Sequence, residues 1–184
     1  MTDEALIIVD LQNDYFPGGR WPLVGIEDAA GNGRLVLSHF REKDMAVVHI
    51  RHEFPADNAP FFAPGSYGAQ INELVLPKEG EPVVLKHHPN AFRDTNLKTL
   101  LDEREIRKLT ILGAMSHVCI DATVRAAVDF GYDVTVVHDA VATRDLEFNG
   151  TNVPANQVHS AYMAALAFAY AKVMPTAEIV HTSE

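Results

Sequence analysis

Three residues carry the chemical interest of this 184-residue chain. Asp10 closes the run ALIIVD and Lys86 closes VVLK. Each puts a charge directly after an apolar stretch, where an unpaired ion is costly to bury. Cys119, in GAMSHVCIDAT at 113–123, is the only cysteine. A thiolate is a strong nucleophile, a carboxylate beside it can take its proton and return it to a leaving group, and an ammonium supports the negative sulfur. Ser116 reads as a helix N-cap, which sets Cys119 in a first turn where the helix dipole favours the thiolate. Taken singly, each has a plainer reading: a lone cysteine fills cores, and strand-end Asp and Lys serve as solvated or paired caps.

The elements that must bring the three together follow from patterning. Ala5–Asp10, Met45–Ile50, Val83–Lys86, Lys108–Gly113, Asp133–Asp139 and Glu178–Thr182 are rich in aliphatic and β-branched residues and read as strands. Most are continuous apolar runs, as expected of a sheet covered on both faces. Helical spacing and stop signals predict helices over Asp28–Lys43, Asp94–Glu105, His117–Phe130 and Pro154–Val173. The alternation predicts an α/β fold with a parallel sheet between helical layers, in one domain spanning 1–184. Ligands of such sheets bind at the carboxyl ends of the strands, where Asp10, Lys86 and Cys119 all fall. The segment 52–82, rich in Pro and Gly, carries Phe54, Phe61, Phe62 and Tyr67 and reads as the wall of a site or an irregular loop packed on the body. Thr143–Val153, shorter and polar, reads as flanking the same mouth.

Composition narrows the partners. A net charge of −10 argues against nucleic acid, and no apolar run is long enough to cross a bilayer. The acidic amino terminus is unlike a secretory signal, and one cysteine suits a reducing compartment, so a cytoplasmic location and a small-molecule substrate are expected. No G-x-G-x-x-G follows a strand, so no nucleotide cofactor is expected. The helix carrying AYMAALAFAYA is apolar around nearly its whole circumference, which predicts a second buried face and a homodimer or larger homo-oligomer.

DLQNDYF at 10–16, Lys86 with NAF at 90–92 and Thr95, GAMSHVC at 113–119 and HDA at 138–140 together resemble the isochorismatase-like cysteine hydrolases over nearly the whole chain. The resemblance implies a three-layer α/β/α, Rossmann-like fold with a six-stranded parallel sheet in the order 3-2-1-4-5-6. It also implies a catalytic triad of Asp10, Lys86 and Cys119, a cis peptide at Ala114–Met115, and an oxyanion hole from the Met115 and Cys119 N–H groups. In that order the second strand separates Lys86 from Asp10, so the lysine must reach across. FPGG at 16–19 and PNAFRDT at 89–95 are most similar to the streptothricin-hydrolase-like members. Phe16, Trp21, His52, Phe54, Phe61, Phe62, His87 and His117 are the expected substrate pocket.

Nicotinamidase relatives hold a metal through an Asp-x-His pair after the second strand. Here that stretch is VVHIRHEFP, with no such pair, and no metal is expected; His49 and His52 are the ligand candidates that remain. The expected reaction is hydrolysis of an amide, lactam or carbamoyl C–N bond through a thioester, without a cofactor. Two alternatives stand beside it: vinyl-ether hydrolysis of the isochorismatase type, which needs a proton donor and no thiol, and a non-enzymatic binding protein on the same fold.

Overall fold

The computed structural model describes residues 2–55 and 59–181. Six parallel strands form the main sheet: β1 (Glu4–Val9), β2 (Ala46–His52), β3 (Val83–Lys86), β4 (Lys108–Ala114), β5 (Asp133–Ala142) and β8 (Lys172–Met174). Their spatial order is β3-β2-β1-β4-β5-β8, which is the expected Rossmann-like arrangement. A small antiparallel hairpin, β6 (Leu146–Phe148) and β7 (Thr151–Val153), occupies the polar stretch after β5.

Both faces of the sheet are apolar because both are covered. Along β1, Ala5, Ile7 and Val9 pack with Leu97 and Leu101 of α2 (Leu97–Glu103), Val124 of α3 (Asp121–Asp129) and Leu166 of α4 (Ala155–Ala169). Leu6 and Ile8 face the opposite layer, with Ile26, Ala29 and Val36 of α1 (Ile26–Glu42) and Ile179 of α5 (Thr176–Val180). The period-two alternation thus fills two cores rather than one core and solvent.

Three sequence expectations need correction. The sixth strand is Lys172–Met174, not Glu178–Thr182. Pro175 caps a new helix, α5, whose first turn is fixed by the Asp139 carboxylate accepting the Thr176 N–H and hydroxyl, both at 2.8 Å. Glu178 therefore lies in a helix despite its β-branched neighbours, and Thr182 is outside the described residues. The helix expected over Pro154–Val173 stops at Ala169, which frees the chain to supply that edge strand. The helix expected from His117 begins as a π turn, Ser116–Ile120, before α3.

The strand ends that carry the site need two special backbone positions. Gly113, at φ +129°, lies against β1 so closely that a Cβ there would overlap the Val9 carbonyl oxygen. Asp10, the next residue of β1's exit, holds a left-handed φ of 53°, uncommon for a side chain other than Asn or Asp. The bulge in the β4–β5 pairing, where Ile111 faces Val136 but Gly113 faces Val141, lengthens β5 and carries Thr143 and Arg144 to the same end of the sheet.

Candidate active site

Asp10, Lys86 and Cys119 meet at the carboxyl ends of β1, β3 and β4. Lys86 Nζ crosses the end of β2 to lie 2.7 Å from Asp10 Oδ2 and 3.3 Å from Cys119 Sγ. All three are buried, Asp10 and Lys86 completely and Cys119 to 5% exposure. A solvated cap would be exposed, so of the plainer readings of the strand-end charges the solvated one does not hold, and the two are paired with each other.

Burial sets the protonation chemistry. It pushes the Asp10 carboxyl above its ordinary value, against the pull of the Lys86 ammonium. It works to lower the Lys86 pKa, but Asp10 and Cys119 more than offset this and leave it raised. The Cys119 thiol is pushed far up by burial and then by Asp10, with Lys86 opposing. Burial thus favours the thiol form of Cys119, and the Lys86 ammonium works the other way. The expected helix-cap activation is not what the structure has: Met115 occupies the cap position and makes no side-chain cap, while Ser116 Oγ lies 2.8 Å from His159 Nδ1. The Ala114–Met115 peptide, in the turn that presents Cys119, is cis.

Lys86 has a third neighbour, His52 Nδ1, at 2.9 Å. An ammonium can only donate, so Nδ1 accepts and the ring proton sits on Nε2. Burial and then Lys86 lower the His52 pKa to about 3, which keeps the ring neutral. Gln12 holds this end of β2: its Oε1 accepts the His52 N–H, and its Nε2 donates to the His52 and Ala69 carbonyls, each at 2.8 Å. Asp14 accepts the Phe62 N–H at 2.6 Å and the Arg20 N–H at 3.1 Å, and a Cβ at Gly68 would overlap its carboxylate. DLQNDYF thus supplies one reactive acid and two anchors for the segment that follows β2.

Three aromatics of that segment pack onto the body of the protein. Phe54, Phe61 and Phe62 stack among Tyr15, Trp21 and His52, with ring centroids 4.5–6.2 Å apart. Of the other expected pocket residues, Phe16 is packed in the core; Tyr67, the fourth aromatic of the segment, stands exposed. His87 is exposed and bonds the Glu53 carbonyl at 2.6 Å. His117 Nδ1 lies 2.7 Å from Thr143 Oγ1 at the opposite rim, where burial and then Arg144 lower its pKa.

The metal of nicotinamidase relatives does not fit these residues. His52 turns its lone pair to an ammonium, and His49 Nε2 lies 3.0 Å from Glu81 on the far side of β3. Among the described residues no three His, Cys, Asp or Glu side chains gather as ligands.

Sequence reading missed Gln12 and Asp14. Gln12 and Asp14 lay inside a quoted motif, but their partners are 40 to 57 residues away and no local spacing announces them.

Residues 4–178 match the isochorismatase domain family. An isochorismatase family protein of Bacillus subtilis (strain 168), YddQ, is 47% identical over 172 residues, which are 94% of this chain and 96% of that protein. A solved structure from Oleispira antarctica, assigned to the isochorismatase hydrolases, is 57% identical with a TM-score of 0.94, covering 96% of this chain and 95% of the other. The streptothricin hydrolase of Streptomyces noursei is 33% identical over 78% of this chain and 51% of its own length, so the expected closeness to that subgroup gives way to the more similar YddQ. With its fold, strand order and family match in agreement, this chain belongs to the isochorismatase family.

Proposed function

We propose that Cys119 is the nucleophile of a hydrolase that cleaves a C–N bond of a small amide, lactam or carbamoyl compound. The observation that carries this reading is the buried contact of one ammonium with both a carboxylate and the sole thiol. Asp10 takes the thiol proton as sulfur attacks the carbonyl carbon, so thiolate forms only as it is used. The Met115 and Cys119 N–H groups stabilise the oxyanion. The C–N bond breaks, the amine or ammonia leaves with the proton from Asp10, and a thioester remains. Water, losing a proton to Asp10, then releases the acid and restores the thiol. Lys86 stays charged throughout and holds Asp10 in its ionised form.

The test is an ammonia-release screen over small amides, with lactams followed by mass, repeated with Cys119→Ala and Asp10→Asn. Both variants should lose activity by several orders of magnitude, as enzymes do without their nucleophile or base. Vinyl-ether hydrolysis gives a split instead, with Asp10→Asn inactive and Cys119→Ala largely active.

The chain acts as one domain, in the cytoplasm, where a thiol stays reduced, and it self-associates through α4. Val158, Met163 and Leu166 of α4 are buried, while Ala161, Ala164, Ala165 and Phe168 are exposed, Phe168 to 91%. A second copy of the chain covers that apolar face.

A further inference from the structure

A lysine ammonium has three N–H groups to give and accepts nothing. Three acceptors stand within reach of Lys86 Nζ: Asp10 Oδ2 at 2.7 Å, His52 Nδ1 at 2.9 Å and Cys119 Sγ at 3.3 Å. Two of them belong to the proposed chemistry, and the third is an imidazole. It stands there by register: His52 and Lys86 are direct partners across β2 and β3, so their side chains leave the same face of the sheet. Gln12 grips the His52 N–H and carbonyl, each at 2.8 Å, and the ring is seated against Phe54 and Phe62, with centroids 4.7 and 6.2 Å away.

Packing does not account for a histidine at this place. Its Nε2–H is a buried donor with no partner among the described residues, a state that costs stability. A phenylalanine would fill the same aromatic seat without that cost. The ring does not serve as a cation either, because burial and then Lys86 hold its pKa down at about 3. What the imidazole supplies is an uncharged acceptor, which satisfies the ammonium and adds no charge to the Asp10–Lys86 pair. A carboxylate in its place would compete with Asp10 for Lys86, and an alkyl side chain would leave a buried N–H with nothing to bind. With three N–H groups facing three acceptors, Lys86 has none left to give a substrate.

We propose that His52 is the positioning residue of this site: its neutral Nδ1 takes the third N–H of Lys86 and fixes the ammonium as a charge shared by Asp10 and Cys119, not as a donor to substrate. The proposal deepens, and rests on, the reading of Cys119 as the nucleophile, and the test separates the two. The other titratable groups that act on this cluster are Tyr15, His87 and His88.

The first arm needs no variant to fold differently from wild type. Nitrogen-15 NMR of histidine-labelled protein, with the His52 signals assigned by their absence from His52→Phe, should show a neutral ring from about pH 5 to about pH 9, protonated on Nε2 and hydrogen-bonded at Nδ1. A ring that gains a proton in that range, or carries its proton on Nδ1, overturns the proposal. The second arm titrates the ε-carbon of Lys86, the one buried lysine among the described residues, by carbon-13 NMR in wild type, His52→Phe and His52→Asn. Phenylalanine keeps a ring and offers no acceptor, whereas the Asn Oδ1 can stand where Nδ1 stands. Lys86 should release its proton about 10-fold more readily in His52→Phe, the scale of one hydrogen bond to a charged group, and His52→Asn should recover part of the difference. The comparison is repeated in a His87→Gln, His88→Gln background, so that only the change at His52 is read. A residue that merely filled space would lower the melting temperature of His52→Phe and leave the Lys86 titration alone. That outcome, or an equal change in both variants, overturns the proposal. Neither arm uses turnover: if the nucleophile reading alone is wrong, Cys119→Ala keeps activity while both NMR results stand.

Discussion

Two acid–cation–histidine clusters lie on either side of the four-residue strand β3. Before it, Glu81 is bound by Arg41 at 2.7 and 2.8 Å, by the Lys78 N–H at 2.8 Å and by His49 at 3.0 Å. At its end, Asp10, Lys86 and His52 surround Cys119. The ingredients match and the accounting of polar atoms does not. Around Glu81 only His49 Nδ1 lacks a partner, and the carboxylate's bonds to Arg41, Lys78 and His49, working against burial, hold its pKa down at about 2. Around Asp10, Oδ2 meets Lys86 Nζ at 2.7 Å, but Oδ1 and His52 Nε2 have no hydrogen-bond partner among the described residues, while burial drives the Asp10 and Cys119 pKa values upward. A cluster whose polar atoms are paired stabilises a fold, and one that leaves buried donors and acceptors unpaired marks a candidate functional site.

The sharpest way to break the contrast is to remove one charge from each side. Lys86→Met leaves a buried carboxylate alone, and it should destabilise the chain by about 3–5 kcal/mol and abolish turnover. Glu81→Gln should cost about 1–3 kcal/mol by urea unfolding and leave kcat/KM near wild type, because its cluster touches no reacting group. A large loss of turnover in a folded Glu81→Gln protein would erase the distinction.

Acid separates the two sites further. The folded Glu81 pKa of about 2 lies below its ordinary 4.5, so its stabilisation is complete above about 4.5 and drains away as pH falls toward about 2. Glu81→Gln should flatten that part of the stability profile. Asp10 is shifted the other way, so the acid limb of kcat/KM should have its midpoint above the ordinary aspartate value of 3.8, at a pH where the fold is still intact. The smallest expected effect lies outside both clusters: Phe168→Ser should weaken self-association by light scattering without moving the pH profile.

How much of this was legible depended on range. β1 to β5 announced themselves as apolar runs, and Asp10 and Lys86 were visible because a charge ending such a run needs a partner. The sixth strand was missed because an edge strand of three residues, Lys172–Met174, carries too little pattern, whereas Ile179 and Val180 beyond Pro175 looked like strand residues and lie in a helix. The cap was misplaced because a helix-start argument sees the local backbone and not the burial around Cys119, which raises the thiol pKa.

The central claim is that sulfur, and not water, makes the first bond. Once the amide screen yields a substrate, rapid acid quench during turnover and intact-mass analysis test it directly. The account predicts a mass increase equal to the acyl fragment, located on Cys119, present in wild type and missing from Cys119→Ala. Steady turnover with no acyl adduct at any quench time, and near-wild-type rates from Cys119→Ala, would contradict it and leave Cys119 a core residue of the turn that carries it.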